Sequence, residues 1–444
     1  MPSLEPEPRA AARAPASAWF ALAVLIVATV VGAVDKTIFT LLTEPVRHSL
    51  SLSDTQIGAI QGLGVALFTG LATFPLGWLS DRYDRRWVLA ACVIFWSGMT
   101  ALRGLAPDYG WLLVASVGLG VGEAGLAPVI NSLLPDLFAR AQRVVANAVY
   151  VLASIFGAAL GAVLSGAAVG AADALRPHLP AALAGAETWR LTFFLVALVG
   201  LPLALLILAM RAAPRSAGEP AAATPTAPTR TFGDYLRSNW RTLAGLVAGT
   251  GLGGLGLNGI GIWIPVHAAR HFGLAPAQVG QYLGASLLGG TVLGALIGVL
   301  ALRAAQRRLG AGAAMRLLTI GYLCAALASL TMLFATSTAG LFASMALVIM
   351  PLMAALIVLP NALQDAAPAA LRGRAMAAFA VGQLFFASLA PLGIGMLSDA
   401  VHDRAPDSLV IALVAVTLVC GLAGALLLWR TEDSFTRLTL ANRA

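Results

Sequence analysis

Gly77-Trp78-Leu79-Ser80-Asp81-Arg82-Tyr83-Asp84-Arg85-Arg86 is a short charged turn set between two long apolar stretches. Apolar sequence on both sides makes it the joint between the end of one membrane helix and the start of the next. The glycine lets two helices approach closely, Asp81 sits at the membrane border, and the arginines cannot follow the chain into hydrocarbon. Outward from this turn the chain keeps the same character: 59% of its 444 residues are hydrophobic, 11% are charged and the mean hydropathy is +0.86. A water-soluble globular domain does not have that composition. Apolar runs of about 20 residues or more predict an all-α membrane protein. Twelve transmembrane helices are expected, at roughly 17–42, 55–80, 88–106, 110–135, 144–170, 190–210, 240–266, 277–302, 314–335, 338–364, 375–398 and 408–429.

Charge sets the expected orientation. Of the 28 basic residues, 21 fall in the N-terminal tail, the even-to-odd loops and the C-terminal tail, five fall in the opposite loops, and Lys36 and Arg103 lie within spans. The positive-inside bias then places both termini in the cytoplasm of a multi-pass protein of the inner, or plasma, membrane. The net charge of +8 comes from those same loops and suits the anionic headgroups of the lipid bilayer. No interleaving of aromatic and basic residues supports a nucleic-acid partner. The apolar run after Arg9 and Arg13 is too long, and lacks the cleavage site, for a secretory signal. Cys92, Cys324 and Cys420 stand alone in different spans, as packing residues do.

The stretch 212–230 is the only long one rich in Pro, Ala, Thr and Ser, and it follows the sixth span. Thr231 to Trp240 then reads as an amphipathic segment along the inner membrane surface. The expected organisation is a tail at 1–16, a six-helix half at 17–211, a linker at 212–239, a second six-helix half at 240–430 and a tail at 431–444. A weak internal repeat supports this division. Gly298 to Arg303, with Arg307 and Arg308, echoes the opening turn, and Leu302 stands where Asp81 does. Pro128-Val129-Ile130-Asn131 likewise echoes Leu359-Pro360-Asn361. Parallel repeats place a substrate site between the halves near the bilayer midplane. A monomer is expected.

Asp35 and Glu123 are the acids set deepest in apolar sequence, each costing about 2.5–3.5 kcal/mol to insert if charged. A carboxyl group that changes neighbours between conformations can load and release a proton, so these two are the candidate proton-coupling residues. Lys36 is the only lysine. Neighbours on a helix point about 100° apart, so Lys36 faces away from Asp35, toward another helix, an anionic substrate or the outer surface. Arg103, four residues before Pro107-Asp108, is expected to snorkel to the outer end of its span. Lys36, Ser116, Asn131, Asn147, Tyr150, Asn258, Asn361 and Gln383 are the candidate substrate-binding residues, in or at the ends of spans where polar groups need partners. Gly77, Asp81, Arg82, Arg85, Arg86, Asp136 and Arg143 form the candidate cytoplasmic gate. Asp81 could also face the positive N-terminus of the span beginning after Arg372 and Arg374. The glycines at 249, 251, 253, 254, 256, 259 and 261 allow either bending or close packing of the seventh span. His267 and His271 have helix-face spacing for a metal, but no acid lies near them in the sequence, so no metal site is expected.

The opening turn resembles the signature turn between helices 2 and 3 of the major facilitator superfamily. Gly120-Val121-Gly122-Glu123-Ala124, followed by Pro128 and by Asp136-Leu137-Phe138, is similar to the Spinster branch of that superfamily. Asp35-Lys36 in span one, Gln364-Asp365 through Arg372-Gly373-Arg374, and Gly395-Met396-Leu397-Ser398-Asp399 extend the likeness. The resemblance implies proton-linked, alternating-access transport of amphipathic lipids such as lysophospholipids or sphingoid phosphates, with Asp35 and Glu123 as proton sites. Ser116 stands where the family has a buried arginine, which removes the expected cation beside Glu123, and Lys36 replaces an arginine. A carrier of small organic anions or sugar acids is the main alternative. A non-transporting membrane sensor or scaffold is the alternative of another class. Span five, Gly157-Ala158-Ala159-Leu160-Gly161, lacks the glycine-proline motif of drug and proton antiporters. No hydrolase, zincin or Walker motif points to an enzyme or a cofactor.

Overall fold

The computed structural model describes residues 15–180, 185–211, 232–368, 371–403, 405 and 407–443. The N-terminal tail up to residue 14 and most of the linker lie outside the described residues. Among the described residues, twelve helices are long and apolar enough to cross a membrane. In chain order they are α1 Ala16–Leu41, α2 Asp54–Arg82, α3 Arg85–Leu105, α4 Tyr109–Leu137, α5 Gln142–His178, α6 Thr188–Ala209, α7 Phe232–Phe272, α8 Pro276–Leu309, α9 Ala313–Phe334, α10 Thr338–Gln364, α11 Arg374–Val401 and α12 Ser408–Asn442. No strand occurs among the described residues. The protein is an all-α membrane protein of twelve spans in two six-helix halves. Trp96 and Phe138 are buried in the core of the first half, Trp263, Tyr322 and Phe435 in that of the second.

Helix ends follow local chemistry. Ser53 and Gln56 form a capping box ahead of α2, Asp84 accepts from the Arg86 amide at 3.0 Å ahead of α3, and Asp108 accepts from the Trp111 amide at 3.0 Å ahead of α4. Gly273, at φ +63°, takes the left-handed conformation that stops α7. A short helix, Thr43–Leu50, joins α1 to α2.

Two expected boundaries change. The amphipathic stretch is the first three turns of α7, continuous with the span, because its aromatic face packs onto the second half. Tyr235 is buried and its hydroxyl donates to the Ala366 carbonyl. The C-terminal tail beyond residue 430 continues α12, with Phe435 and Thr439 buried.

The halves meet along α2 with α11 and α5 with α8. Close approaches run from the end of the bundle opposite the linker to about its middle. Gly58, Gly62 and Gly70 of α2 face Pro391, Ser388 and Leu384, while Gly166 and Gly284 face Ala277 and Ala159. A Cβ on Gly284 would lie 2.8 Å from the Ala159 carbonyl oxygen, so only glycine permits that spacing. α2 also kinks against α11: Ile60–Gly64 is a single π turn, with Gly62 at φ −109° and ψ −108°.

Candidate functional site

Four charged side chains from α1, α3 and α4 meet inside the first half. Asp35 is 2% exposed and accepts from the Thr100 hydroxyl at 2.9 Å. One helix step on, Lys36 turns away from it, as the 100° rotation per residue requires, and places its Nζ 3.1 Å from Glu123 Oε2. The Lys36 side chain is 71% exposed although Glu123 beside it is 7% exposed. A lysine amid the bundle can be that accessible only where it lines an opening.

Arg103 is the main correction to the sequence reading. It is 4% exposed rather than snorkelled, its Nε donates to the Ser116 hydroxyl at 3.0 Å, and its guanidinium lies 5.0 Å over the Phe39 ring. The small Ser116 leaves room for it, and it interacts electrostatically with both Asp35 and Glu123. The cation expected on α4 is therefore supplied from α3, so Glu123 does not lack a positive neighbour. Two acids and two cations balance, which is what an apolar interior demands of buried charge. The balance is incomplete at the level of hydrogen bonds: Arg103 Nη1 and Glu123 Oε1 are buried with no partner among the described residues.

The polar groups expected at the substrate site divide. Asn131 and Asn147 are exposed, and Tyr150, half-buried, has its hydroxyl 3.4 Å from Thr29 Oγ1. Asn258 is exposed on α7, and Gly254 and Gly261 on the same helical face have open space beyond them. Gln383 is committed elsewhere: its Nε2 donates to Thr250 Oγ1 at 2.9 Å and the Val247 carbonyl at 3.1 Å, tying α11 to α7. The side chain of Asn361 lies outside the described residues. The other α7 glycines serve packing, with Gly249 against Leu428, Gly253 against Tyr322 and Gly256 against Thr417.

At the linker end, three contacts of the charged turn lie within the first half. Arg85 pairs with Asp136, Arg86 with Asp84 at 2.7 Å, and Arg82 lies 4.4 Å over the Trp78 ring. Arg143 donates to the carbonyls of Phe138 at 3.0 Å and Pro135 at 2.8 Å, closing the end of α4. Asp81 is exposed and makes no hydrogen bond or ion pair among the described residues, and Gly77 has no neighbour within 4 Å of a would-be Cβ. The expected contact of Asp81 with the start of α11 is thus not made here, nor is a close helix approach at Gly77. The side chains of Arg140 and Arg372 lie outside the described residues.

Charges bridge the halves at the opposite end, which the sequence reading missed. Arg270 of α7 donates to Glu44 Oε1 from Nη2 at 2.7 Å and to both Asp54 oxygens, from Nη2 at 2.8 Å and Nη1 at 3.0 Å. Asp399 of α11 accepts from the Asp54 and Thr55 amides at 3.1 and 2.8 Å, capping α2 from the other half. The only signal in the sequence was an acid or arginine at the end of each of these spans.

The model of the Major Facilitator Superfamily matches residues 24–391. The chain belongs to that superfamily. An efflux pump of this facilitator type from Mycolicibacterium smegmatis is 28% identical over 448 residues, covering 95% of this chain and 94% of that protein. The sphingosine-1-phosphate transporter of Danio rerio is 31% identical over 121 residues, 27% of this chain and 24% of that protein. A bacterial homologue of the human lysosomal transporter Spinster, in an inward-facing and unoccupied conformation, has the same fold with a TM-score of 0.76 and 21% identity over 96% of this chain and 98% of that one. Within the facilitator fold, the charged turn at 77–86 and the quartet Asp35, Lys36, Arg103 and Glu123 lie on one half, and the arginine bridge spans both.

Proposed function

We propose that this facilitator is a proton-coupled secondary transporter of amphipathic lipids with an anionic headgroup, such as lysophospholipids or sphingoid phosphates. The observation that carries the lipid reading is an apolar crevice of about 650 Å³ between the halves. It is lined by Ile26 and Val30 of α1, Phe156 and Leu160 of α5, and Ala285 and Leu288 of α8. Lys36 lies six residues beyond Val30 on α1, about 9 Å along the axis. Lys36 is also turned about 120° round the helix from Val30, so a lipid with its tail in the crevice would pass its headgroup round α1 to reach it. The name of the Danio rerio relative supports the same substrate class.

Asp35 and Glu123 carry the coupling. An anionic headgroup that takes Lys36 removes the countercharge 3.1 Å from Glu123, and a proton on Glu123 restores neutrality. Arg103 holds the balance for Asp35. With both termini in the cytoplasm of an inner or plasma membrane, this arrangement is the inward-open state, closed outside by Arg270. Rocking of the halves would break that bridge and bring Asp81, Arg85 and Asp136 of the gate toward α11. One pH unit supplies about 1.4 kcal/mol per proton.

Uptake or efflux measured in proteoliposomes tests the substrate. Lysophospholipid movement that follows an imposed pH gradient supports the reading. Movement of sugar acids or small organic anions with no lipid movement assigns the chain to the organic-anion branch, and no movement of either leaves a sensor or scaffold.

A further inference from the structure

We propose that His267, His271 and Asp407 form a binding site for a divalent transition metal of the zinc type at the end of the bundle away from the linker. His267 and His271 stand one turn apart on α7, with their rings stacked at 5.2 Å between centroids and 20° between planes. Asp407, the residue before α12, supplies the acid that was missing from the sequence around the histidines. Its Oδ1 lies 2.9 Å from His271 Nδ1, and one ligand atom from each of the three residues falls within 4.8 Å of the others.

Two further features suit ligation. His267 is 6% exposed and makes no hydrogen bond among the described residues, so a ring nitrogen is free to donate its lone pair. The side chains of His271 and Asp407 are 46% and 43% exposed, which leaves a path for a hydrated ion. Two imidazole nitrogens and one carboxylate oxygen favour zinc, nickel or copper over magnesium or calcium, which prefer all-oxygen shells. Metal–ligand bonds of about 2.0–2.2 Å would draw the three side chains slightly closer, and water would complete the shell.

The site has a mechanical consequence. Arg270 lies between the two histidines in sequence, about 60° and 100° round the helix from them, close enough to His267 to interact with it electrostatically, and reaches to Glu44 and Asp54 of the first half. A metal tying the last turn of α7 to the start of α12 fixes the turn that carries the bridge. Binding should therefore favour the arrangement closed at this end and slow transport.

Isothermal titration of the intact, detergent-solubilised protein with zinc chloride, after removal of any polyhistidine tag, tests the site. Saturable binding of about one equivalent is expected, with no comparable response to magnesium, and both His271→Ala and Asp407→Asn should weaken it roughly tenfold or more. Both side chains are nearly half exposed, and the melting temperature of each metal-free variant reports whether it is folded. No saturable zinc binding by the wild type, or undiminished binding in either folded variant, overturns the proposal. This outcome is independent of what the protein transports.

Discussion

Arg270→Ala should unlatch the closed end of the bundle. Arg270 serves two carboxylates at once, and the side chains of Glu44 and Asp54 are 10% and 5% exposed. Removing one partner of a buried pair leaves uncompensated charge and costs about 3–5 kcal/mol. The arginine itself is 22% exposed, so water softens the loss toward about 3 kcal/mol. That cost falls only on the arrangement in which the halves touch here, so the equilibrium between closed and open ends should shift by roughly 150-fold. Electron paramagnetic resonance distances between labels at His48→Cys and Ala275→Cys, on a background without Cys92, Cys324 and Cys420, would read the change across this end. The variant should move the distribution to longer distances. Glu44 keeps Arg47 at 3.2 Å, so the stranded charge is that of Asp54; adding Asp54→Asn removes it and should return much of the shift. An unchanged distribution in Arg270→Ala would refute the idea that the bridge sets this equilibrium.

Three other outcomes follow from the geometry. Arg103→Ala removes the buried cation beside Asp35 and Glu123, an interaction worth about 2–4 kcal/mol at an effective dielectric near 20; substrate-driven flux should fall at least about tenfold, with Arg103→Lys intermediate. Gly284→Leu forces carbon against the Ala159 carbonyl at 2.8 Å and Val163 Cγ2 at 2.9 Å, an overpacking cost of about 1–3 kcal/mol; the same pair of labels should report opening in the direction of Arg270→Ala. In the loop before α6, burial pushes the Glu187 carboxyl up, but the Ser49 hydroxyl, Arg190 and the Trp189 indole outweigh it and hold it below its ordinary 4.5. A lowered folded value stabilises above the unfolded one and is lost as pH falls through the folded one. The side chain is 49% exposed, so the stability difference between wild type and Glu187→Gln should be under about 1 kcal/mol at pH 7 and be lost in thermal melts as the pH falls through the carboxyl's lowered folded range.

Periodicity and hydropathy suffice for the twelve spans, because each must satisfy its own backbone in lipid and so declares itself as a long apolar run. The turn at 77–86 and the divergence of Asp35 from Lys36 were legible for similarly local reasons. Arg103 was not. Its position near Pro107-Asp108 suggested a helix end, and its true environment depends on Ser116, Asp35 and Glu123 from two other helices. The partner of Lys36 was open for the same reason, since 100° excludes Asp35 without selecting Glu123. Thr231 to Trp240 was read as a surface segment because amphipathicity is the same whether the apolar face meets lipid or the face of another helix; Tyr235 meets Ala366. The bridge from Arg270 to Glu44 and Asp54, and the approach of Asp407 to His271, join residues far apart in sequence with no motif in common. They become visible only when the ends of the spans are brought together.

Proton flux into proteoliposomes carrying an internal pH dye, with lysophospholipid added to wild type and to Glu123→Gln, addresses the coupling most directly. The account predicts lipid-triggered acidification in the wild type, little or none in the variant, and no response to small organic anions. Proton flux that is the same in Glu123→Gln as in wild type would contradict it.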